Sequence, residues 1–285
     1  MNIFLTGGTG YIGSALLPRL VERGHQVTAA VRSEASAEKV SGLGATPVTG
    51  DLTDATWVAA QLARVDGAVH TASPGDASSP DFDAAVATAA VQAFAGTEKP
   101  YVHTSGLWIW GAGEGLSEQS PLNPPALTAW RPGVEDIVLG AGLRGGIVAP
   151  AVVHGHGGGL PNVLLRGPRT ADGALILIGD GSQHWGTVHV DDLADLYVLV
   201  LERGEVLGRV LGVTAGAPTV RAVAEATGDP VAPEPVEATR ARLGEAFADA
   251  LLLDQQFDNG YALSLGWSPR RSRVVDEVRA GDYAG

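Results

Sequence analysis

Gly7, Gly10 and Gly13 stand three residues apart, directly behind the apolar run 3–6 and ahead of an amphipathic stretch opening at Tyr11. With 39 glycines in 285 residues, a triplet at this spacing occurs by chance roughly once per chain. Its placement carries the information instead. Glycine lets a strand turn tightly into a helix and lets the backbone approach a pyrophosphate, while the helix N-terminus offers free N–H groups and partial positive charge. Gly7, Thr9, Gly10, Tyr11, Ile12 and Gly13 are therefore the expected diphosphate loop, against the alternative of a glycine-rich turn with no ligand. Arg32 and Ser33 end the second apolar run, where a site for an unphosphorylated ribose usually has a carboxylate. A guanidinium beside a hydroxyl suits a 2′-phosphate, so NADP(H) is expected ahead of NAD(H). The alternative for Arg32 is an ordinary exposed arginine. Asp51 and Leu52 follow the third run, where a carboxylate accepts from an adenine amino group or else caps the helix before Trp57.

Strands and helices must alternate to bring these residues together. Apolar patterning predicts strands over 3–6, 26–31, 46–49, 68–71, 101–104 and 146–149, with helices over 11–23, 56–63, 81–94 and 132–139. In the first helix Ile12, Leu16, Leu17, Leu20 and Val21 repeat with helical period, and Pro18 is expected to kink it. Alternation of this kind gives right-handed crossovers, hence an α/β fold with a doubly wound parallel sheet covered on both faces. Beyond Pro150 the texture is more irregular. Strands are expected over 174–178, 188–190 and 209–213, and helices from Asp191 or Asp192 to Leu201, over 219–227 and over 237–250. Residues 1–153 and 187–215 are assigned to a dinucleotide-binding Rossmann domain. Residues 154–186 and 216–285 are assigned to a small C-terminal α/β cap, built from interleaved segments, that binds the substrate.

Composition narrows the function. Hydrophobic residues make up 45% and charged residues 18%, a globular balance. Nineteen Lys plus Arg against 32 Asp plus Glu leave a net charge of −13, which argues against a nucleic-acid partner. With no Cys, there is neither a thiolate metal site nor a Cys nucleophile. The N-terminal residues lack a basic start and an apolar stretch, and no apolar run approaches the roughly 20 residues that span a bilayer. A cytoplasmic protein without membrane association is expected, with a small-molecule substrate, as a monomer or homodimer.

The glycine loop, His70-Thr71-Ala72-Ser73 and His103-Thr104-Ser105 together resemble the short-chain dehydrogenase/reductase superfamily. The likeness is to its extended branch, the NAD-dependent epimerase/dehydratase type. It continues through Ala149-Pro150-Ala151-Val152-Val153-His154-Gly155, Val188-His189-Val190-Asp191-Asp192-Leu193-Ala194 and Leu265-Gly266-Trp267-Ser268-Pro269. The resemblance implies that Ala72 and Ser73 run along the cofactor, that Pro150 and Val153 flank the nicotinamide, and that Ser105 hydrogen-bonds a substrate carbonyl. It also implies dimerisation through the helices over 81–94 and 132–139.

The family's usual acid is a Tyr four residues before a Lys, so that both face one side of a helix. The five tyrosines (Tyr11, Tyr101, Tyr197, Tyr261, Tyr283) are never followed by Lys at that spacing; the only lysines are Lys39 and Lys99. At the expected place stand Trp130 and Val134, and an indole N–H supplies no proton near neutral pH. The likeness is therefore to atypical branches that keep the cofactor site and lack the Tyr. His154, at the family's Val-Tyr-Gly tyrosine and beside the nicotinamide edge, is the first replacement acid to consider; His184, in a segment bordering the substrate, is the second. Each has a packing or surface role as its alternative. Arg131 and Glu135 are expected to pair along one helix face. His154-x-His156 has no nearby carboxylate and alternate residues point opposite ways, so no metal is expected. Trp108, Trp110 and Trp130 are candidate substrate walls, with core packing as the alternative for the first two.

The expected function is NADP(H)-dependent oxidoreduction of a carbonyl or alcohol. A redox-silent NADP-binding sensor or scaffold, and an epimerase, dehydratase or isomerase that recycles its nucleotide, stand as alternatives.

Overall fold

The computed structural model describes residues 1–284. Its first strand, β1 (Asn2–Thr6), turns Ile3 and Leu5 into one hydrophobic cluster and Phe4 into another. That period of two demands a covering layer on each face of the sheet. The chain continues through α1 (Tyr11–Glu22), β2 (Gln26–Val31), α2 (Glu34–Gly42), β3 (Thr46–Thr49) and α3 (Ala55–Leu62). Then come β4 (Gly67–His70), α4 (Ser79–Phe94), β5 (Tyr101–Thr104) and α5 (Arg131–Gly140). Strands Gly145–Pro150 and Val206–Gly212 complete a seven-stranded sheet, parallel throughout. From one edge to the other its order is Val206–Gly212, Gly145–Pro150, β5, β4, β1, β2, β3. The helix Val190–Arg203 lies along α1 on one face, while α3, α4 and α5 pack side by side on the other. The fold is the doubly wound α/β architecture, and its strand order reverses between β1 and β4, where such sheets open a crevice.

Local chemistry explains the elements. Leu16, Leu17 and Leu20 are fully buried along α1, each contributing about 1.5–3 kcal/mol. Pro18 lies inside that helix, which continues to Glu22. The sequence pattern did not reveal α2 because the helix is mostly polar, with Val40 its one buried residue. It starts where Ser33 Oγ accepts from the Ser36 N–H at 3.2 Å. The expected helix over 237–250 is two helices, Val236–Leu243 and Glu245–Leu251, because Gly244 between them takes φ +83°. A third hydrophobic cluster (Leu164, Leu175, Trp185, Val223, Leu251, Val274 and others) is drawn from residues between 152 and 283. The C-terminal run is fastened to the sheet layer by Trp267, whose indole N–H donates to Asp192 O at 2.8 Å. The Asp192 carboxylate accepts the Arg270 and Arg271 backbone N–H groups at 3.0 and 2.9 Å. Among the described residues no helix is long and apolar enough to cross a membrane.

Gly13 is where this packing tolerates least, since a Cβ there would lie 2.1 Å from the Gly7 carbonyl oxygen. Gly13→Ala is expected to cost about 2–3 kcal/mol in urea unfolding. Gly140→Ala in α5, where a Cβ meets nothing within 4 Å, should change stability by less than about 1 kcal/mol.

Candidate active site

The turns after β1 and β4 touch. Gly7 takes φ +76°, and a Cβ there would sit 2.5 Å from Ala72 N, so both conformation and space require glycine. Thr6 stitches the two strand ends. Its Oγ1 accepts from the Ala72 N–H at 3.3 Å and donates to His70 Nδ1 at 2.7 Å, while its carbonyl accepts from Thr71 Oγ1 at 2.8 Å. His70 Nε2 in turn donates to Asp83 Oδ1 at 3.2 Å. Above this seam α1 opens with Gly10 as its N-cap residue and no side-chain cap, which leaves the first N–H groups facing the crevice.

The crevice holds an elongated cleft of about 730 Å³. Its lining contains most of the residues expected to hold a nucleotide: Gly7, Thr9, Gly10, Tyr11, Ile12, Arg32, Asp51, Leu52, Ala72, Ser73 and Val153. Gly13 acts from beneath the loop by letting α1 pack on Gly7. Ser33 does not line the cleft, because its hydroxyl caps α2; Ser36 presents the neighbouring hydroxyl instead. Asp51 Oδ1 accepts from the Thr53 N–H at 2.9 Å, and this bonding to Thr53 holds its carboxyl below the usual range. The cap of α3 is Asp54, which accepts from Thr56 N and Trp57 N at 2.9 and 3.1 Å, so that alternative role for Asp51 falls away.

A second lobe of about 970 Å³ adjoins the first and shares Ile12, Thr71 and Ser73 with it. Pro150, Ser105, Trp108 and Trp130 line it. Ser105 is fixed at the end of β5 by its N–H, which donates to Val148 O at 2.8 Å. Its buried Oγ has no hydrogen-bond partner among the described residues. Behind it, Thr104 Oγ1 donates to His70 O at 2.6 Å and accepts from Tyr197 OH at 2.7 Å. Burial pushes the Tyr197 phenol well above its ordinary range. Trp108 meets Phe247 edge-on at 6.2 Å across the lobe. Trp130 is the N-cap residue of α5 and spends its indole N–H on Leu127 O at 3.1 Å.

Several expected residues lie elsewhere, each for a geometric reason. Trp110 is core, packed edge-on against Phe257 at 5.9 Å. Leu107–Trp110 is a 3₁₀ turn, which does not keep residues two apart on one side as a strand would. His154 is buried away from the cleft, because it alternates with Val153 along strand Val152–Gly155 and Val153 takes the cleft side. His154 Nδ1 instead donates to Glu277 Oε2 at 2.9 Å. His184 pairs with Asp254 at 2.8 Å outside the lobe, while the adjacent Trp185 lines it. Arg131 and Glu135 do not pair: Glu135 binds Arg209 at 2.6 Å, and Arg131 turns into the lobe. Arg131, Phe247 and Ser36 are the site residues that patterning missed. The expectation that no carboxylate stands near His156 is also corrected, since Asp191 Oδ1 lies 3.1 Å from His156 Nε2 and His189 completes a cluster. There His189 Nδ1 accepts from Asp191 N at 3.1 Å and Nε2 faces Glu277 at 3.1 Å, so protein hydrogen bonds already engage both ring nitrogens.

Comparisons with known proteins agree with this geometry. A family profile described as NAD(P)H-binding matches residues 7–105. An uncharacterized protein of Schizosaccharomyces pombe is 34% identical over 71% of this chain and 71% of its own length. The 2-alkyl-3-oxoalkanoate reductase of Stenotrophomonas maltophilia is 29% identical over 71% of this chain and 66% of its own. The crystal structure of a human epimerase family protein with NADPH superposes with a TM-score of 0.73 at 22% identity, covering 98% of each chain.

The buried His154–Glu277–His189 cluster gives a stability prediction. Burial works against the Glu277 charge, but hydrogen bonds from both histidines overcome it and bring the carboxyl down to about 2. The folded pKa lies below the unfolded one, so this contribution is full above about pH 5 and is lost as pH falls towards 2. Glu277→Gln should therefore lower stability near neutral pH by about 2 kcal/mol, allowing for solvent screening. In denaturant titrations across acid pH, the gap from the wild type should close between about pH 5 and 2.

Proposed function

The chain belongs to the short-chain dehydrogenase/reductase superfamily, in its extended, NAD-dependent epimerase/dehydratase-like branch, and from that membership we propose that it is an NADP(H)-dependent oxidoreductase acting on a carbonyl or alcohol of a small organic molecule. The observation that carries this reading is Ser105, a residue lining the lobe that adjoins the nucleotide cleft, whose buried hydroxyl has no protein partner. The glycine cradle fits a diphosphate, because Gly7 and Gly13 leave no room for a Cβ beneath the loop. Arg32, exposed on the cleft wall beside Ser36, would bind a 2′-phosphate by charge-assisted hydrogen bonds. When bound, a nicotinamide cofactor supplies hydride chemistry at its ring. The protein's part is to orient and polarise. Ala151 forms part of the wall where the two lobes meet, with Pro150 beside it in the second lobe, and Ser105 donates to the substrate oxygen that gains charge as the carbonyl is reduced. The reductase named among the relatives supports this direction of chemistry.

Two variants test the reading. Arg32→Ala should weaken NADPH binding in calorimetry by roughly ten- to a hundredfold while leaving NADH affinity nearly unchanged. Equal losses for both nucleotides, or a wild-type preference for NADH, would sink the NADP assignment. Ser105→Ala should lower kcat by roughly a hundredfold or more with a carbonyl substrate, at unchanged NADPH affinity. Net loss of NADPH absorbance during wild-type turnover separates reduction from an isomerisation that regenerates its nucleotide.

A further inference from the structure

The lobe beside Ser105 is walled largely by apolar and aromatic side chains, yet it contains one partly buried cation, Arg131. Its side chain keeps only 20% of its accessible surface. The guanidinium is held in place from two sides. It stacks on the Trp130 ring with 4.6 Å to the centroid, and Nη1 donates to Thr104 O at 3.3 Å. The nearest carboxylate, Asp83 Oδ2, lies 4.0 Å away, beyond hydrogen-bond reach, and the other Asp83 oxygen is taken by His70. Glu135, one turn along α5, is taken by Arg209. An arginine has five N–H donors in a planar fork. Among the described residues only the bond to Thr104 O uses any of them.

A desolvated guanidinium with most of its donors unpaired is costly unless a ligand completes it. The other ionisable group of this lobe, Asp76, is exposed and bonded to Ser78 N and Oγ, so it does not neutralise Arg131. Thr104 O, the anchor of the guanidinium, belongs to the residue before Ser105. A cationic fork suited to an anion therefore anchors on the carbonyl of Thr104, the residue before the unpaired hydroxyl of Ser105, and both residues line the same aromatic lobe.

We propose that the substrate of this lobe is a keto acid, its carboxylate seated on Arg131 and its carbonyl oxygen on Ser105. This rests on the carbonyl-reduction reading above for the second contact but not for the first. The bidentate geometry of a carboxylate matches the guanidinium fork, and Trp108 and Phe247 offer apolar surface to the rest of the molecule.

The test pairs keto acids with their methyl esters, which keep the carbonyl and the shape but lose the charge. Benzoylformate, β-benzoylpropionate and levulinate are each compared with the ester in turnover with NADPH, and in calorimetric binding to the NADPH-saturated protein. The wild type should favour at least one acid over its ester by roughly ten- to a hundredfold, mainly through KM. Arg131→Gln should collapse that preference, and Arg131→Lys should restore it only in part, with NADPH affinity measured on each variant as the control for folding. Acid binding that depends on Arg131 without any turnover would uphold the carboxylate site and overturn the reductase reading. Turnover of acids and esters at equal efficiency would do the reverse. Failure of every acid to bind more tightly than its ester overturns the proposal outright.

Discussion

The site depends on one close contact, the passage of the Gly7 backbone against Ala72 where the strand order reverses. Neither side can yield, because β1 and β4 are paired in register up to Thr6 and His70 and the Thr6 side chain bridges them. That contact fixes where α1 begins and therefore where its free N–H groups point. It also sets the line along which the nucleotide cleft runs into the lobe holding Ser105. The buried His70 and Asp83 extend the same seam into α4, hydrogen-bonded as far as Asp83, whose carboxylate then faces Arg131 at 4.0 Å.

A second constraint comes from the end of the chain. Tyr11 OH donates to Gly155 O at 2.8 Å, and its ring fills the space above Gly158 and Gly159. From the other side, Tyr283 OH accepts from Gly155 N at 3.0 Å and donates to Gly158 O at 2.9 Å. The loop after strand Val152–Gly155 is thus held between the diphosphate turn and the C-terminal segment. Glu277 anchors that segment through His154 and His189. The histidine first considered as an acid is a strut for this arrangement.

The sheet, its flanking helices other than α2 and about half of the residues lining the nucleotide cleft were legible in the sequence. Both follow from short-range rules: alternation along strands, helical period, and glycine where a strand must turn into a helix. What escaped was set by the rotation of short irregular pieces. Trp108 and Trp110 part company because both lie in a 3₁₀ turn, and Ser36 takes the cleft position expected of Ser33 because Ser33 caps a polar helix. Arg131 faces the lobe rather than Glu135 because Arg209, seventy-eight residues further along the chain, claims that carboxylate. No local pattern encodes such competition between distant partners. Strand alternation by itself places His154 opposite Val153 and away from the nucleotide cleft.

The hydroxyl of Thr104 closes off the wall behind Ser105. It gives its hydrogen to His70 O and takes one from Tyr197, so this part of the interior neither lends nor accepts a proton through it. On the reductase reading proposed for Ser105, the proton that follows hydride transfer would then enter through the open face of the lobe. Bulk water would then be the reagent, and turnover would depend on how completely a bound substrate seals the entrance.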